Sequence, residues 1–375
     1  NGNAGVHNVN LGLNYITIDD IIWRNIFLSE PSVRTMTKAQ REQAYRNEWR
    51  MKYGREVFGG KVVLVRSDIN EPFDEEKVTI KGDLRIRASI PTIDELSRYG
   101  AKVLVMAHQG TSAAKDCIHL DPHKERLEAL LGRGVIYRRE HYSGDATAEI
   151  VQTRMRDGDI FLLDNLRFLA VEALSNAKSP GEFVQLPHTY MKTLEKLAAF
   201  LVNDAFSTNH RPHGSIMGFP HLLNIAGRFT VQGIENVRRL TGDITPPYTF
   251  LLGGLKVPGY IDFMDDSLKN DLVDYILAAG ILGVMAYHGS RRERRKIDFG
   301  YKTDKLLRDE GLYPLLKHVQ ALARNDSRVI VPLDFKVEDE SGNTFYMTPE
   351  EIHEHPEKNN LGIYDNTGNY SSDFY

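Results

Sequence analysis

From Lys61 onward, short apolar runs alternate with segments whose apolar residues recur every three or four positions. The runs are rich in Val, Leu and Ile and too short for buried helices, so they favour strands buried on both faces. Strands separated by helical segments indicate βαβ units and a parallel sheet. The predicted strands occupy 61–65, 102–106, 159–163 and a run that starts at Leu201, and the predicted helices 85–99, 121–131, 145–156 and 189–200.

A second series of the same kind follows a break in the pattern. Helical periodicity over 231–240 leads to Gly242 and the pair Pro246-Pro247, which predict a domain boundary. Beyond it we predict strands at 248–252 and 328–333, helices at 260–269 and 315–324, and a mostly apolar segment at 274–283. The pattern therefore predicts an α/β protein of two Rossmann-like lobes, each a parallel sheet flanked by helices, joined by a hinge helix. The predicted domains are an N-terminal extension (1–57), a first lobe (58–235) and a second lobe (236–375).

The segment before Lys61 has a different composition, with a Gly/Asn-rich start and a very polar helical stretch that follows Thr37. Thr37 and Gln40 have the spacing of a capping box. A helix with so few apolar positions buries little surface by itself, so it is either a docked, partner-contacting extension or a solvated helix. The chain begins with Asn1 and its start lacks the features of a signal peptide, which suggests an excerpt or a processed form.

Composition excludes several classes of protein. Hydrophobic residues at 41%, charged residues at 26% and no long apolar run indicate a globular protein without a membrane span. A net charge of -4 and a pI near 6.4 argue against nucleic acid or an anionic membrane as partner, so local basic groups suit a small anion. Cys117 is the single cysteine, which excludes an internal disulfide and makes a reducing, cytoplasmic setting the default. No metal-ligand cluster or catalytic triad is recognisable, and the run 291–296 is interpreted as a solvated basic segment.

Polar and basic residues follow the ends of the predicted strands in the first lobe. Since ligands bind outside the carboxyl ends of strands in open α/β sheets, these side chains should converge on a bound group. Arginines there would form a receptor for phosphate or carboxylate, although each one taken alone could be an ordinary surface ion pair. Asp68 and Asn70 could bind substrate hydroxyls or form an Asx-turn, and the histidines could be structural. The residues expected at this edge are Arg66, Asp68, Asn70, Arg85, His108, Asp164, Asn165, Arg167, Asp204, His210 and Arg211.

A glycine turn follows the first predicted strand of the second lobe. Gly253 and Gly254 precede Lys256 and a helix, an arrangement in which backbone N–H groups and a lysine favour phosphate. The pattern alone is weak, because many Gly-Gly pairs are only tight turns. One lobe with an anion site and another with a phosphate turn suit phosphoryl transfer, which depends on positioning and charge neutralisation.

Six motifs in order resemble the phosphoglycerate kinase family, its archaeal branch most closely. They are Leu64–Pro72, Asp83–Arg87, Ala107–Gln109, Asp164–Phe168, Asn203–Phe206 with His210-Arg211, and Leu252–Val257. The resemblance covers about Gly60 to Asp365. It implies a hinge-bending enzyme of glycolysis and gluconeogenesis that transfers a phosphoryl group between 1,3-bisphosphoglycerate and ADP, with magnesium, to give 3-phosphoglycerate and ATP.

The resemblance also implies roles for the matching residues. Asp68 and Asn70 would hold the hydroxyl and carboxylate end of the substrate, and His108, Arg167 and Arg211 would bind its phosphate and carboxylate. Arg85 would stabilise the group in transfer and Lys256 would follow it. Gly253, Gly254 and Gly280 would line the nucleotide site, and no protein group is assigned to a metal.

Departures from the family pattern keep other functions open. Thr111 stands where the family has an arginine, Pro258 and Tyr260 stand where small or acidic residues are usual, and the late elements of the nucleotide site are missing from the sequence as given. A kinase is the first hypothesis. A binding or scaffold protein with an impaired nucleotide site, using the N-terminal extension toward a partner, is the second. A kinase acting on a different acid is the third.

Overall fold

The computed structural model describes residues 15–77, 79–112, 114–139, 144–173, 189–241, 246–254, 257–288 and 297–365. Two compact units divide between Gly242 and Asp243. The first unit takes in the segment proposed as an N-terminal extension and the whole of helix 228–241, so the expected boundary at 235 falls inside that helix. Within these ranges no helix is both long and apolar enough to cross a bilayer.

The first unit is built on a six-stranded, all-parallel sheet in the order β5-β6-β4-β1-β7-β8. Its strands are β1 (Val62–Ser67), β4 (Lys102–Met106), β5 (Ile136–Tyr137), β6 (Ile160–Leu162), β7 (Phe200–Asp204) and β8 (Leu223–Ala226); β2 (Phe73–Asp74) and β3 (Thr79–Ile80) form a separate antiparallel pair. Its helices are α1 (Ile18–Ser29), α2 (Lys38–Ala44), α3 (Arg50–Phe58), α4 (Leu84–Arg98), α5 (Asp121–Leu131), α6 (Gly144–Thr153), α7 (Thr189–Leu197), α8 (Gly214–Met217) and α9 (Arg228–Thr241).

Strand β1 lies near the middle of this sheet and is covered on both faces. Val63 and Val65 are fully buried in one hydrophobic core, and Leu64, also fully buried, belongs to the core on the opposite face. Side chains of successive strand residues point to opposite faces, so a strand covered on both sides requires a continuous apolar run. The four predicted strands of the first lobe are confirmed. Strands β5 and β8, at the sheet edges, were not predicted. Strand β5 has only two residues, and strand β8 begins with two exposed residues.

The N-terminal helices dock onto the first unit. Ile18, Ile22 and Ile26 form a stripe on α1 with a spacing of four residues, and they are fully buried in the core that also contains Val63. Tyr53 of α3 is buried in the same core. Helix α2 has no buried residue, although its capping box between Thr37 and Gln40 is confirmed. Helices α1 and α3 are therefore packed on the core of the first unit, whereas the described residues of α2 face solvent or are half-buried.

The second unit combines two small sheets. A parallel sheet has the order β11-β10-β9, and an antiparallel sheet has the order β13-β12-β14. The strands are β9 (Thr249–Leu252), β10 (Tyr275–Ala278), β11 (Val329–Ile330), β12 (Phe335–Glu338), β13 (Thr344–Met347) and β14 (Gly362–Asp365), and the helices are α10 (Val257–Lys269), α11 (Gly280–Tyr287), α12 (Tyr301–Asp309), α13 (Tyr313–Asn325) and α14 (Pro349–Glu354). The parallel sheet was predicted, whereas the antiparallel one was not. The apolar segment 274–283 divides into β10 and the start of α11.

Candidate active site

The carboxyl ends of the parallel strands bring the predicted residues of the first unit to one sheet edge. Asp68 and Asn70 follow β1, His108 follows β4, Arg167 follows β6 and Arg211 follows β7. These four strands are adjacent in the sheet. Strand β1 pairs in parallel with β4 and with β7, and β4 pairs in parallel with β6. The sequence pattern thus corresponds to one cluster in space.

Arg85 enters this edge from the first turn of α4. Glu71 Oε1 accepts hydrogen bonds from the backbone N–H of Arg85 (2.7 Å) and of Ile86 (3.0 Å), which fixes the start of the helix. Arg85 Nη1 lies 3.0 Å from Asp68 Oδ2, and Ser207 also donates to that carboxylate. The Arg85 side chain is 49% exposed, whereas the Asp68 side chain is 4% exposed. Asp68 thus holds a guanidinium that remains half in solvent.

A buried network lies beside these groups. Arg66 and Glu172 are both fully buried, with 3.3 Å between Arg66 Nη2 and Glu172 Oε1. Arg66 Nε donates to Ser215 Oγ (2.6 Å), and Arg66 Nη2 lies 2.8 Å from His108 Nδ1. Ser215 in turn donates to Glu172 through its Oγ (2.8 Å) and its backbone N–H (2.9 Å). The charge of Arg66 is therefore compensated inside the protein.

The electrostatics of the cluster keep its buried imidazoles neutral. Burial lowers the pKa of His108 to about 2, with further lowering from Arg66, Arg167, His213 and Arg211. Burial lowers the pKa of His213 to about 3, again helped by the same arginines. The pKa of Arg167 is also lowered, chiefly by burial. The nearby arginines, together with burial, therefore disfavour a positive charge on these two imidazoles. A bound anion would offset the repulsion between the positive charges.

Side-chain amides hold the loops that carry these residues. Asn70 Oδ1 accepts from the backbone N–H of Gly110 (2.8 Å). Asn165 Oδ1 accepts from the N–H of Gln109 (3.1 Å), and Asn165 Nδ2 donates to the carbonyl of Gln109 (2.9 Å). The loop that follows His108 is thereby attached to β1 and β6, so part of the hydrogen-bonding capacity of Asn70 serves the loop.

Two carboxylates expected to face a ligand have structural partners instead. Asp204, 1% exposed, accepts from the backbone N–H groups of Phe229 (2.8 Å) and Thr230 (3.1 Å) at the start of α9. Asp164 accepts from the N–H of Leu120 (3.1 Å) and from the hydroxyl of Tyr137 (2.8 Å). The expectation that Asp204 points at the ligand is wrong, because an unpaired helix N-terminus lies next to it.

Sequence reasoning missed three members of the cluster, Glu172, His213 and Ser215. Arg66 was expected at the strand-end edge, but its burial and its pairing with a carboxylate were not predicted. A charge within an otherwise buried strand was the available signal for Arg66, since such a charge requires a partner. Nothing in the sequence identifies Glu172 as that partner, because 106 residues separate them.

The second unit carries the glycines predicted for a nucleotide. Gly253 and Gly254 follow β9, and Gly280 is the first residue of α11, after β10. Gly254 has φ +99° and Gly280 φ +52°, values that favour glycine. A Cβ on Gly254 would lie 3.6 Å from the hydroxyl of Tyr260, so this ring reaches the turn. Lys256 lies outside the described residues, and among those that are described no group of three His, Cys, Asp or Glu is arranged to hold a metal ion.

The chain is thus a two-unit α/β protein with a cluster of basic side chains at the carboxyl edge of one parallel sheet and glycine turns after strands of the other. Comparison with known proteins specifies the family. The family model for phosphoglycerate kinase matches residues 56–368, and the chain belongs to this family.

Similar proteins carry the same name. The chain is 31% identical over 313 residues to a phosphoglycerate kinase of Methanothermus fervidus, covering 79% of this chain and 75% of that one. It is 32% identical over 291 residues to a phosphoglycerate kinase of Methanobacterium bryantii, covering 77% and 68%. The crystal structure of phosphoglycerate kinase from Pyrococcus horikoshii OT3 superposes with a TM-score of 0.69 at 29% identity, covering 78% of this chain and 69% of that one. The archaeal resemblance seen in the sequence motifs is in line with these matches.

Proposed function

We propose that this protein is a phosphotransferase that moves a phosphoryl group reversibly between 1,3-bisphosphoglycerate and ADP, giving 3-phosphoglycerate and ATP. Family membership supports the reaction class. The observation that carries the proposal is the cluster at the carboxyl edge of the first sheet, where Arg167 and Arg211 follow strands of the same sheet as the buried His108 and help to lower its pKa. A phosphorylated acid has two anionic groups, and such a cluster offers several donors to both.

In this proposal the first unit binds the acid. Arg167 and Arg211 neutralise its phosphate and carboxylate, and His108 donates a hydrogen bond to the same groups. Asp68 and Asn70 bind the hydroxyl and carboxylate end. Asp68 already accepts from Arg85 and Ser207, so it is held in one orientation before the substrate arrives.

Arg85 is proposed to stabilise the phosphoryl group in transfer. The transition state spreads negative charge over three equatorial oxygens, and a guanidinium presents several N–H donors to such a group. Arg85 is suited to this role because its backbone is fixed by Glu71 while its side chain remains 49% exposed. The Asp68 contact orients the guanidinium without burying it.

The second unit is proposed to bind the nucleotide as substrate. Gly253 and Gly254 precede α10, and Gly280 is the first residue of α11. Glycine has no side chain to block a ligand, and backbone N–H groups at a helix start favour phosphate oxygens. Lys256 is proposed to follow the migrating group. Magnesium would arrive with the nucleotide and neutralise charge on its phosphates.

A second candidate function is a phosphoglycerate-binding or scaffold protein in which nucleotide binding is impaired. The observation in its favour is Tyr260, whose hydroxyl approaches the turn at Gly254. A third variant of the proposal keeps the chemistry and changes the acid. It rests on Thr111, an exposed threonine at the position where the resemblance implied an arginine.

Isothermal titration of the full-length protein tests these alternatives. Binding of both 3-phosphoglycerate and magnesium-ADP, followed by turnover in a coupled kinase assay, is the expected result. Binding of 3-phosphoglycerate alone would favour the scaffold function. Binding of magnesium-ADP without 3-phosphoglycerate, with turnover of a different phosphorylated acid, would favour the third variant.

A further inference from the structure

His108 lies between the buried guanidinium of Arg66 and the other basic groups of the cluster. The distance of 2.8 Å between Arg66 Nη2 and His108 Nδ1 is that of a hydrogen bond. A guanidinium nitrogen can only donate, so Nδ1 must be the acceptor and carries no proton. A neutral imidazole with a bare Nδ1 has its proton on Nε2, on the far side of the ring.

Glu172 and Ser215 determine where Arg66 can be. Arg66 donates to Ser215 Oγ and to the carbonyl of Ser67, and its Nη2 lies 3.3 Å from Glu172 Oε1. Glu172 is itself held by two hydrogen bonds from Ser215. All three of these side chains are fully buried, so no solvent can substitute for a lost partner. A buried arginine without its carboxylate is strongly disfavoured and would move from its position beside His108.

We propose that Glu172 is a positioning residue for the phosphoryl-transfer site: by anchoring Arg66, it holds His108 as a neutral Nε2–H donor directed to the bound oxyanion. This inference rests on the function proposed above for the identity of the oxyanion. The tautomer itself follows from the contact with Arg66 alone. Glu172 touches no substrate in this account and acts only through Arg66.

The groups that face His108 support a neutral ring across the physiological range. Arg66 comes from β1, Arg167 from the segment after β6, and Arg211 and His213 from the segment before α8; Glu172 is the carboxylate beside them. The four basic groups and burial all act in the same direction, and the pKa of His108 falls to about 2. His108 therefore contributes a donor to the pocket but no titrating charge.

Nuclear magnetic resonance of the ¹⁵N-labelled full-length protein tests the inference directly. Two-bond ¹H–¹⁵N spectra distinguish the two imidazole tautomers, and the His108→Gln variant identifies the His108 signals by their loss. We expect a pure Nε2–H tautomer that does not titrate between about pH 5 and pH 9. An Nδ1–H tautomer, or titration near the ordinary value of 6.5, would overturn the proposal.

The Glu172→Gln variant then tests the role of the carboxylate. We expect a mixture of His108 tautomers and a dissociation constant for 3-phosphoglycerate raised about tenfold, with Glu172→Asp partly restoring both. Glu95→Gln is the matched control, since it removes another carboxylate of the same unit, one that pairs with Arg50 and Arg228 rather than with Arg66. It should lower stability and leave the His108 spectrum unchanged. Unchanged tautomer and affinity in Glu172→Gln would refute the positioning role.

If Glu172→Gln does not fold, Ser215→Ala is the substitute variant. It removes one contact of Arg66 and the hydroxyl hydrogen bond to Glu172, while the backbone hydrogen bond to Glu172 remains, and the same mixture of tautomers is expected.

Two further results keep the inference separate from the proposed function. If the wild-type protein shows the expected tautomer but binds no 3-phosphoglycerate, the proposed function fails while the hydrogen-bond geometry stands. If it binds 3-phosphoglycerate with the other tautomer, the inference fails and the function stands.

Discussion

Arg228, the first residue of α9, joins three parts of the first unit through one guanidinium. It donates to both oxygens of Asp19 in α1, and to Glu95 in α4 through Nε (2.6 Å) and Nη2 (2.7 Å). Arg50 of α3 also donates to Glu95 (2.7 Å). The side chain of Arg228 is 22% exposed and that of Glu95 9% exposed. We predict that replacing Arg228 with methionine destabilises the first unit markedly.

The expected cost follows from the groups left behind. Removing one partner of a buried ion pair costs about 3–5 kcal/mol, and solvent reaches Asp19, whose side chain is 35% exposed, so about 2–4 kcal/mol is expected here. Methionine retains most of the apolar stem, which limits the loss of packing. For a unit of this size each kcal/mol shifts the midpoint by roughly 2–4 °C, so the midpoint should fall by about 4–16 °C. Scanning calorimetry at about pH 7 measures it.

The pH dependence of this loss has a definite sign. Burial by itself would raise the pKa of Asp19 and of Glu95, but the hydrogen bonds and charge of Arg228 outweigh it and lower both. A carboxyl group with a lowered pKa in the folded state stabilises the protein above its unfolded pKa, here 3.8 and 4.5, and loses that contribution as the pH falls through the folded value. The gap between wild type and Arg228→Met should therefore be full at about pH 7 and shrink below about pH 4.

Arg98→Met is the matched control. Arg98 lies in α4, three residues after Glu95, and pairs with Asp94 across one helical turn, with its side chain 67% exposed. Such surface pairs contribute about 0.3–0.5 kcal/mol, so the midpoint should move by no more than about 2 °C. Equal midpoints for the two variants, or a gap that stays constant down to about pH 3.5, would show that the Arg228 network does not hold the N-terminal helices.

Three further changes test the site and the second unit. Arg85→Ala should lower the rate of phosphoryl transfer at least about 100-fold in the coupled kinase assay, because it removes charge stabilisation from the transition state; a loss of only a few-fold would refute that role. Gly254→Ala should weaken magnesium-ADP binding in titration calorimetry, since φ +99° strains any residue with a Cβ, and unchanged affinity would place the nucleotide elsewhere. Gly283→Ala should lower the thermal midpoint of the second unit, because its Cβ would lie 2.9 Å from the carbonyl oxygen of Ala278; an unaltered midpoint would mean that α11 shifts at little cost.

The sheet of the first unit was predictable because its central strands are buried on both faces. Such strands require unbroken apolar runs, and these runs also gave the positions of Asp68, His108 and Arg167 at their carboxyl ends. The strands of the antiparallel sheet in the second unit show the opposite case. In β12 and β13 buried or half-buried positions alternate with more exposed ones over only four residues, a signal too short to separate from a loop.

The chemistry of the site was predictable only where the side chains are local to a strand end. Asp204 shows the limit, since its position at the end of β7 is the same whether it faces a ligand or caps α9. Only the three-dimensional position of Phe229 and Thr230 decides between these roles. Glu172 shows the same limit. Its role depends on its contact with Arg66, which is distant in sequence and adjacent in space.

The buried and exposed cations of the cluster carry out different physical tasks. A fully buried arginine needs a carboxylate to offset its desolvation, and Glu172 supplies one for Arg66. That pairing leaves Arg66 with little net charge to offer a ligand. Arg85 is half exposed and Arg211 is exposed, so a bound anion can replace part of the water around these guanidinium groups without a comparable desolvation cost. In the proposed function the buried part of the site would supply directional donors and the exposed part attractive charge, the combination that a phosphorylated acid requires.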